Sequence, residues 1–249
     1  MQLTCTDITA WRAAQFRRAL RSHGMSATDR DLMRLHAFDG AVRRSTMELI
    51  EAIELTLRGR MDTLCTIRFG ANWHLVTDAF LPGSDPAALT GRFRDALDRS
   101  IDPAARRLWT ERRLDRVPFG ALSEHLSLGT LSRLAGILEP RVARELADSF
   151  RLPAPTLRTT LQHITHVRNC CAHHTRIWGT VFGVPTPKYR SPPDLVERLE
   201  RSAPRSPYRS ILLAMHMASN GARASDHDVV DWLTRPEHRD LLPGLGVLG

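Results

Sequence analysis

Lysine is almost missing from this chain of 249 residues, and cysteine, tyrosine and long apolar runs are scarce as well. Lys188 is the only lysine, so arginine supplies nearly all of the positive charge. The four cysteines form no CxxC pair, and the adjacent Cys170 and Cys171 cannot easily close an unstrained disulfide. No stretch approaches the run of about 18 apolar residues that suggests a membrane helix, and the first residues lack the apolar segment of a signal peptide. A reduced, cytoplasmic protein without a membrane partner is therefore expected.

The charge balance favours a polyanionic partner. The formal net charge is +8 and the isoelectric point is about 10.4, which is typical of proteins that bind nucleic acid. Arginine also suits this role, because its guanidinium can bind phosphate through two hydrogen bonds and stack on bases. The alternative is a composition bias shared across a genome, which would say nothing about partners.

The hydrophobic pattern predicts an all-α fold, because apolar residues recur at helical spacing and no alternating strand pattern of any length is present. Asp7 is expected to cap a helix that stops at Gly24, and the longest helix is expected to run from Thr28 or Asp29 to Gly70. Further helices are predicted for residues 86–99, 102–114, 121–126, 131–138, 140–150, 194–201, 207–219 and 229–234.

The amino-acid composition of the chain changes after residue 178. Four prolines (Pro185, Pro187, Pro192 and Pro193) predict an extended arm in place of a helix. We therefore predict two parts, a main domain over residues 1–180 and, over residues 181–249, a proline-rich arm with a small helical extension that packs on it.

Residues 157–178 (LRTTLQHITHVRNCCAHHTRIW) hold most of the unusual chemistry, with four of the eleven histidines and two of the four cysteines. The stretch predicts a helix with an apolar stripe formed by Leu157, Leu161, Ile164 and Cys171. Arg168 falls within that stripe. Because a guanidinium stays charged, it must either be paired or line a cleft.

Three interpretations of this helix are open. Arg168 and His173 can serve a reaction, or Arg168 can form a buried ion pair with a carboxylate such as Glu54 while His173 packs in the core. The third is a zinc site, because the other face of the helix carries imidazoles and a thiol: His166, Cys170 and His173, with His163 and His174 nearby. No other segment offers a partner to complete four zinc ligands, so no metal is expected.

Three segments resemble a known family. Residues 168–173 (RNCCAH) fit the R-x4-H motif of the HEPN superfamily, and the longer VRNCCAHHTRIW resembles the signature of its Abi-like (abortive infection) branch. Phe38-Asp39, Arg43 and the pattern IEAIELTLR over residues 50–58 resemble that branch's upstream helix. Residues 124–132 (EHLSLGTLS) are similar to its E..SFG.LS segment, with Leu128 in place of phenylalanine. The resemblance covers residues 35–187.

The resemblance implies a HEPN-like helical bundle that acts as a homodimer, with two copies of the motif helix facing a shared cleft. It implies a metal-independent endoribonuclease without a cofactor. The residues assigned on this basis are Arg168 and His173 as catalytic, Asn169, His174 and Glu54 as supporting, and Arg168 with Arg176 as RNA-binding. Such a protein would be a toxin of an abortive-infection or toxin–antitoxin system, with an antitoxin as a further partner. The alternative is a non-catalytic protein that holds a small non-coding RNA.

Overall fold

The computed structural model describes residues 8–85, 91–95, 103, 107, 117–221 and 229–248, and it confirms the all-α fold. Within these residues no strand forms, and β-structure is limited to two isolated bridges. The α-helices are α1 (Ala10–Ser22), α2 (Asp29–Phe69), α3 (Phe119–Ser123), α4 (Leu128–Ala135), α5 (Pro140–Ser149), α6 (Leu157–Ala172), α7 (Pro193–Glu200), α8 (Pro207–Gly221), α9 (Val229–Leu233) and α10 (Leu242–Leu245). Short 3₁₀ turns span Trp73–Leu75, Thr77–Ala79, Ala154–Thr156 and Pro236–Leu241.

Helix α2 is the central element, and its predicted limits are confirmed. Thr28 caps its start through a reciprocal capping box with Asp31, and it ends before Gly70, whose φ of 84° favours glycine. The helix spans 41 residues and passes through Gly40 without a break. A helix of this length offers several neighbours a continuous surface.

The other helices pack around α2 and bury its apolar residues. Helices α1, α5, α6 and α8 all contact it, and α6 also packs against α4. Leu35, Val42, Ile53, Leu57 and Met61 of α2 are inaccessible to solvent within this core. Helix α6, which carries the unusual stretch, is therefore fixed between α2 and α4.

Some predicted helix limits differ from the structure. Helix α1 is capped by the Thr9 side chain, which accepts from the Arg12 N–H at 3.2 Å, while Asp7 lies outside the described residues. Helix α4 starts earlier than predicted because Ser127 caps it. The helices predicted for residues 86–99 and 102–114 lie largely outside the described residues.

The arm after residue 180 lies against α6 and α8. The ring of His163 lies 2.8 Å from the Val184 carbonyl oxygen through Nδ1 and 2.9 Å from Ser210 Oγ through Nε2. The Tyr189 and Thr160 hydroxyls are 2.6 Å apart. These contacts join the arm to the body, and the division at residue 180 stays a prediction. Among the described helices, none combines the length and apolarity that a membrane span requires.

We expect acid to weaken the packing around His163, because burial lowers the pKa of this histidine to about 4. An unfolded histidine takes up a proton near pH 6.5, so this contribution to stability is complete above about pH 6.5 and falls as the pH drops towards 4. Between pH 7 and 4.5 the loss should be about 2 kcal/mol.

Urea unfolding of the wild type and of His163→Gln at both pH values measures this loss. The variant should lose less stability on acidification, whatever its stability at pH 7. Gln162→Ala, which alters an exposed side chain that does not titrate, is the control and should keep the wild-type pH dependence. Equal losses in the wild type and His163→Gln would contradict the prediction.

Candidate active site

A buried carboxylate ties the end of the motif stretch to α2. Asp39 is inaccessible to solvent, and its Oδ1 accepts the backbone N–H groups of Ile177 and Trp178, both at 2.9 Å. Its Oδ2 accepts from Arg43 Nε at 3.1 Å. The chain that leaves α6 is therefore held by hydrogen bonds to one residue in the first third of the central helix. The FD…R pattern marked Asp39 and Arg43 in the sequence, but sequence reasoning assigned neither a role.

Helix α6 ends at Ala172, six residues before the predicted end at Trp178. The chain turns there through a Schellman motif, in which the His174 N–H donates to the Cys171 carbonyl (3.1 Å) and the Thr175 N–H to the Cys170 carbonyl (2.9 Å). His174 takes the left-handed position at φ 55°, where glycine is usual. The equivalent position after α1 is occupied by Gly24 at φ 69°. The sequence prediction missed this helix end, because the usual signal, a glycine just after the last helical turn, is absent.

The turn places His174 in the lining of a cavity of about 510 Å³ between α2 and α6, which we call the motif cavity. Three of the predicted site residues, Arg168, His174 and Glu54, line it together. His173 and Asn169 are exposed and do not belong to its lining. The complete lining comprises Arg43, Arg44, Met47, Glu48, Ile50, Glu51, Glu54, Arg168, Cys171, Ala172 and His174.

The Arg168 guanidinium is available to a ligand within this cavity. Across the part of the chain that the structure describes, it forms no ion pair, and Nη1 donates only a long hydrogen bond to Asn169 Oδ1 at 3.4 Å. The proposed pair with Glu54 does not form, because Glu54 accepts from Arg58 Nη2 at 3.1 Å. Glu54 and Arg58 are four residues apart on α2, a spacing at which an acid and a base on one helix can pair. Arg168 therefore lines a cleft, the second of the two options that the sequence allowed.

His174 is oriented by two arginines. Its Nδ1 lies 3.2 Å from Arg43 Nη1, and its backbone carbonyl accepts from Arg12 Nη1 at 2.7 Å. Because a guanidinium only donates, the neutral His174 ring accepts through Nδ1 and carries its hydrogen on Nε2. Arg43 thus connects the buried Asp39 carboxylate to the imidazole in the cavity.

The remaining predicted residues lie elsewhere. Arg176, predicted to bind RNA, is half-buried, donates to the Trp178 carbonyl and does not line the motif cavity, and burial lowers its pKa. Its contact with RNA stays a prediction that this position does not favour. Burial raises the pKa of the Cys171 thiol to about 12, so a thiolate nucleophile is not formed there near neutral pH.

The zinc interpretation finds no ligand set among the described residues, where no three metal-binding side chains converge. His163 lies against Val184 and Ser210 through its two ring nitrogens, and the contact nearest to a metal pair is His166 Nε2 to Cys170 Sγ at 3.8 Å.

Replacing Asp39 should destabilise the protein strongly. Asp39→Asn keeps the shape but offers one acceptor oxygen, so either Arg43 or the two backbone N–H groups lose their partner. Breaking a buried ion pair on one side costs about 3–5 kcal/mol. Urea unfolding measures the change, with the exposed Asp148→Asn as the control that should stay near the wild type. A loss below about 1 kcal/mol would show that the carboxylate does not anchor the turn.

Replacing His174 by glycine should stabilise the helix end relative to alanine. A left-handed conformation costs an L-residue about 1–2 kcal/mol, and glycine avoids this cost. We expect His174→Gly to be about 1 kcal/mol more stable than His174→Ala in urea unfolding. Both variants lack the imidazole, so the comparison isolates the backbone. Equal stabilities would mean that the turn relaxes when the ring is removed.

Comparison with known proteins adds one match. A family model described as "Abi-like protein" matches residues 6–179, which is well over half of the chain and includes α1 to α6. No curated protein and no solved structure matches the chain. The match covers every residue that lines the motif cavity, and it also covers Asp39. The protein therefore belongs to the Abi-like family, which suggests a role in abortive infection.

Proposed function

We propose that this protein is a metal-independent endoribonuclease toxin of an abortive-infection or toxin–antitoxin system, as the resemblance to the HEPN superfamily implies. The observation that carries the proposal is Arg168, an unpaired cation in the described structure that lines a cavity with the imidazole of His174. An unpaired guanidinium beside an imidazole is a typical arrangement for binding a phosphate and moving a proton.

The chemistry needs no metal because RNA carries its own nucleophile. The ribose 2′-oxygen attacks phosphorus and loses its proton to an imidazole, while the bond to the 5′-oxygen breaks and that oxygen takes a proton from an acid. A guanidinium stabilises the negative charge that grows on the phosphorane oxygens. The products are a 2′,3′-cyclic phosphate and a 5′-hydroxyl. Arg168 is assigned to the phosphorane, and His173 with His174 to the proton transfers.

The position of His173 supports a site shared by two copies. Within one chain this residue is exposed and does not line the motif cavity in which Arg168 lies. In a homodimer with the two α6 ends facing each other, His173 of one copy would approach Arg168 of the other. His174 then acts within its own chain and His173 across the interface.

The alternative function is an RNA-binding protein without catalysis. If the protein does not dimerise in this way, Arg168 holds a phosphate and the motif histidine takes no part. A small non-coding RNA would then be the bound partner. Cleavage, and not binding alone, is therefore the measurement that separates the two functions.

The test measures cleavage of a mixed RNA substrate in EDTA, with detection of 2′,3′-cyclic phosphate ends. Arg168→Ala and His173→Ala should each reduce the rate by about 10²–10⁴-fold. His174→Ala should also reduce it, and Arg141→Ala, which changes an exposed arginine outside the cavity, should not. Filter binding of the same RNA should persist in His173→Ala.

Mixing the Arg168→Ala and His173→Ala proteins tests the shared site. A mixed dimer holds one site in which Arg168 of one copy meets His173 of the other, so activity should return. If mixing restores nothing while each variant still dimerises, the site lies within one chain. Tight RNA binding by the wild type without any cleavage would overturn the nuclease in favour of the RNA-binding protein.

A further inference from the structure

A second cavity of about 520 Å³ lies mostly in the part of the chain that follows the family match. Four separate segments converge on it: the turn after α5 with Arg151, helix α7 and its C-cap with Asp194, Arg198 and Arg201, helix α8, and helix α9 with Val230. We call it the arginine cavity. Its volume falls in the range of ligand pockets, about 300–1,000 Å³.

The charges of the arginine cavity are not balanced. Three guanidinium groups meet one carboxylate, since Asp194 is the only acidic residue in the described lining. Arg151 Nη2 and Asp194 Oδ1 are 3.6 Å apart, which is longer than a good charged hydrogen bond. In the part that the structure describes, Arg198 has no ion pair, and Arg201 pairs with Glu197 in a contact exposed to solvent. A dianionic group would relieve this excess of positive charge.

The backbone at Arg151 is also unusual. Helix α5 ends in a Schellman motif, with the Arg151 N–H on the Asp148 carbonyl (2.9 Å) and the Leu152 N–H on the Ala147 carbonyl (3.0 Å). Arg151 occupies the left-handed position at φ 50°, which glycine would adopt without strain. The strained residue places a guanidinium at the cavity, as the strained His174 places an imidazole at the other one.

Part of the lining of the arginine cavity is apolar, and we call this part its floor. Tyr208, Leu212 and Met215 of α8 are buried beneath the arginines. His216 is also buried, and its Nε2 donates to the Arg151 carbonyl at 3.1 Å. A cationic rim over an aromatic and aliphatic floor suits a ligand with a phosphate at one end and a flat, less polar body at the other.

We propose that the arginine cavity binds a phosphomonoester of nucleotide size, either a free mononucleotide or the phosphorylated end of a nucleic acid. Arg151, Arg198 and Arg201 bind the phosphate, and the floor formed by Tyr208, Leu212 and Met215 receives the nucleoside. This site is independent of the motif cavity and of the nuclease activity proposed for it.

Calorimetric titration of the full chain with AMP, adenosine and inorganic phosphate tests the proposal. AMP should bind, adenosine should not, and inorganic phosphate should bind more weakly than AMP. Arg198→Ala should weaken AMP binding about tenfold or more, because it removes charged hydrogen bonds to the phosphate. Arg198→Lys should recover part of the loss, since it keeps the charge without the two-point contact.

The Arg151→Gly variant distinguishes a loss of AMP binding from a loss of folding. Glycine relieves the strained backbone, so the variant should unfold no more easily than the wild type while it loses AMP affinity. Arg141→Ala is the matched control and should bind AMP normally. Arg168→Ala should also bind AMP normally, so the outcome does not depend on the nuclease.

Two further comparisons, between ligands and between variants, identify the source of the phosphate and can overturn the proposal. Tighter binding of a 5′-phosphorylated DNA oligonucleotide than of AMP assigns the site to nucleic-acid ends, and equal or weaker binding assigns it to mononucleotides. Absence of AMP binding, or the same affinity in Arg198→Ala, Arg151→Gly and Arg141→Ala, would overturn the site. Equal affinities for inorganic phosphate and AMP would overturn the role of the apolar floor.

Discussion

The carboxylate of Asp39 holds together the parts on which the motif cavity depends. It accepts two backbone N–H groups from Ile177 and Trp178 and one hydrogen bond from Arg43, and the carboxylate itself is inaccessible to solvent. A buried carboxylate with three donors is strongly stabilised, and its loss leaves each donor without a partner. The same group therefore fixes the chain after α6, orients Arg43 and, through Arg43, positions the ring of His174.

At two of the described helix ends, a residue other than glycine adopts the left-handed conformation, which has a lower free energy for glycine. Gly24 ends α1 in the ordinary way, but Arg151 follows α5 and His174 follows α6 in the same left-handed conformation. Each of these two side chains lines a cavity. Backbone strain persists where the surrounding structure enforces it, and such sites are often functional. The two strained turns are therefore a common feature of the motif cavity and the arginine cavity.

Much of the site was predictable from residues close together in the sequence. A permanently charged guanidinium in an apolar helical stripe requires a partner or a cleft, and Arg168 has the cleft. The roles of Asp39 and Arg43 were not predictable, because their contacts with Trp178 and His174 span more than 130 residues.

The sequence alone determined the all-helical fold, the limits of α2 and the family, since helical periodicity, capping residues and short motifs are local properties. The tertiary structure decided which histidine shares a cavity with Arg168. His173 and His174 are neighbours in the chain, and no local rule separates them. The separation comes from the turn at His174, which the anchoring of Ile177 and Trp178 by a distant carboxylate imposes.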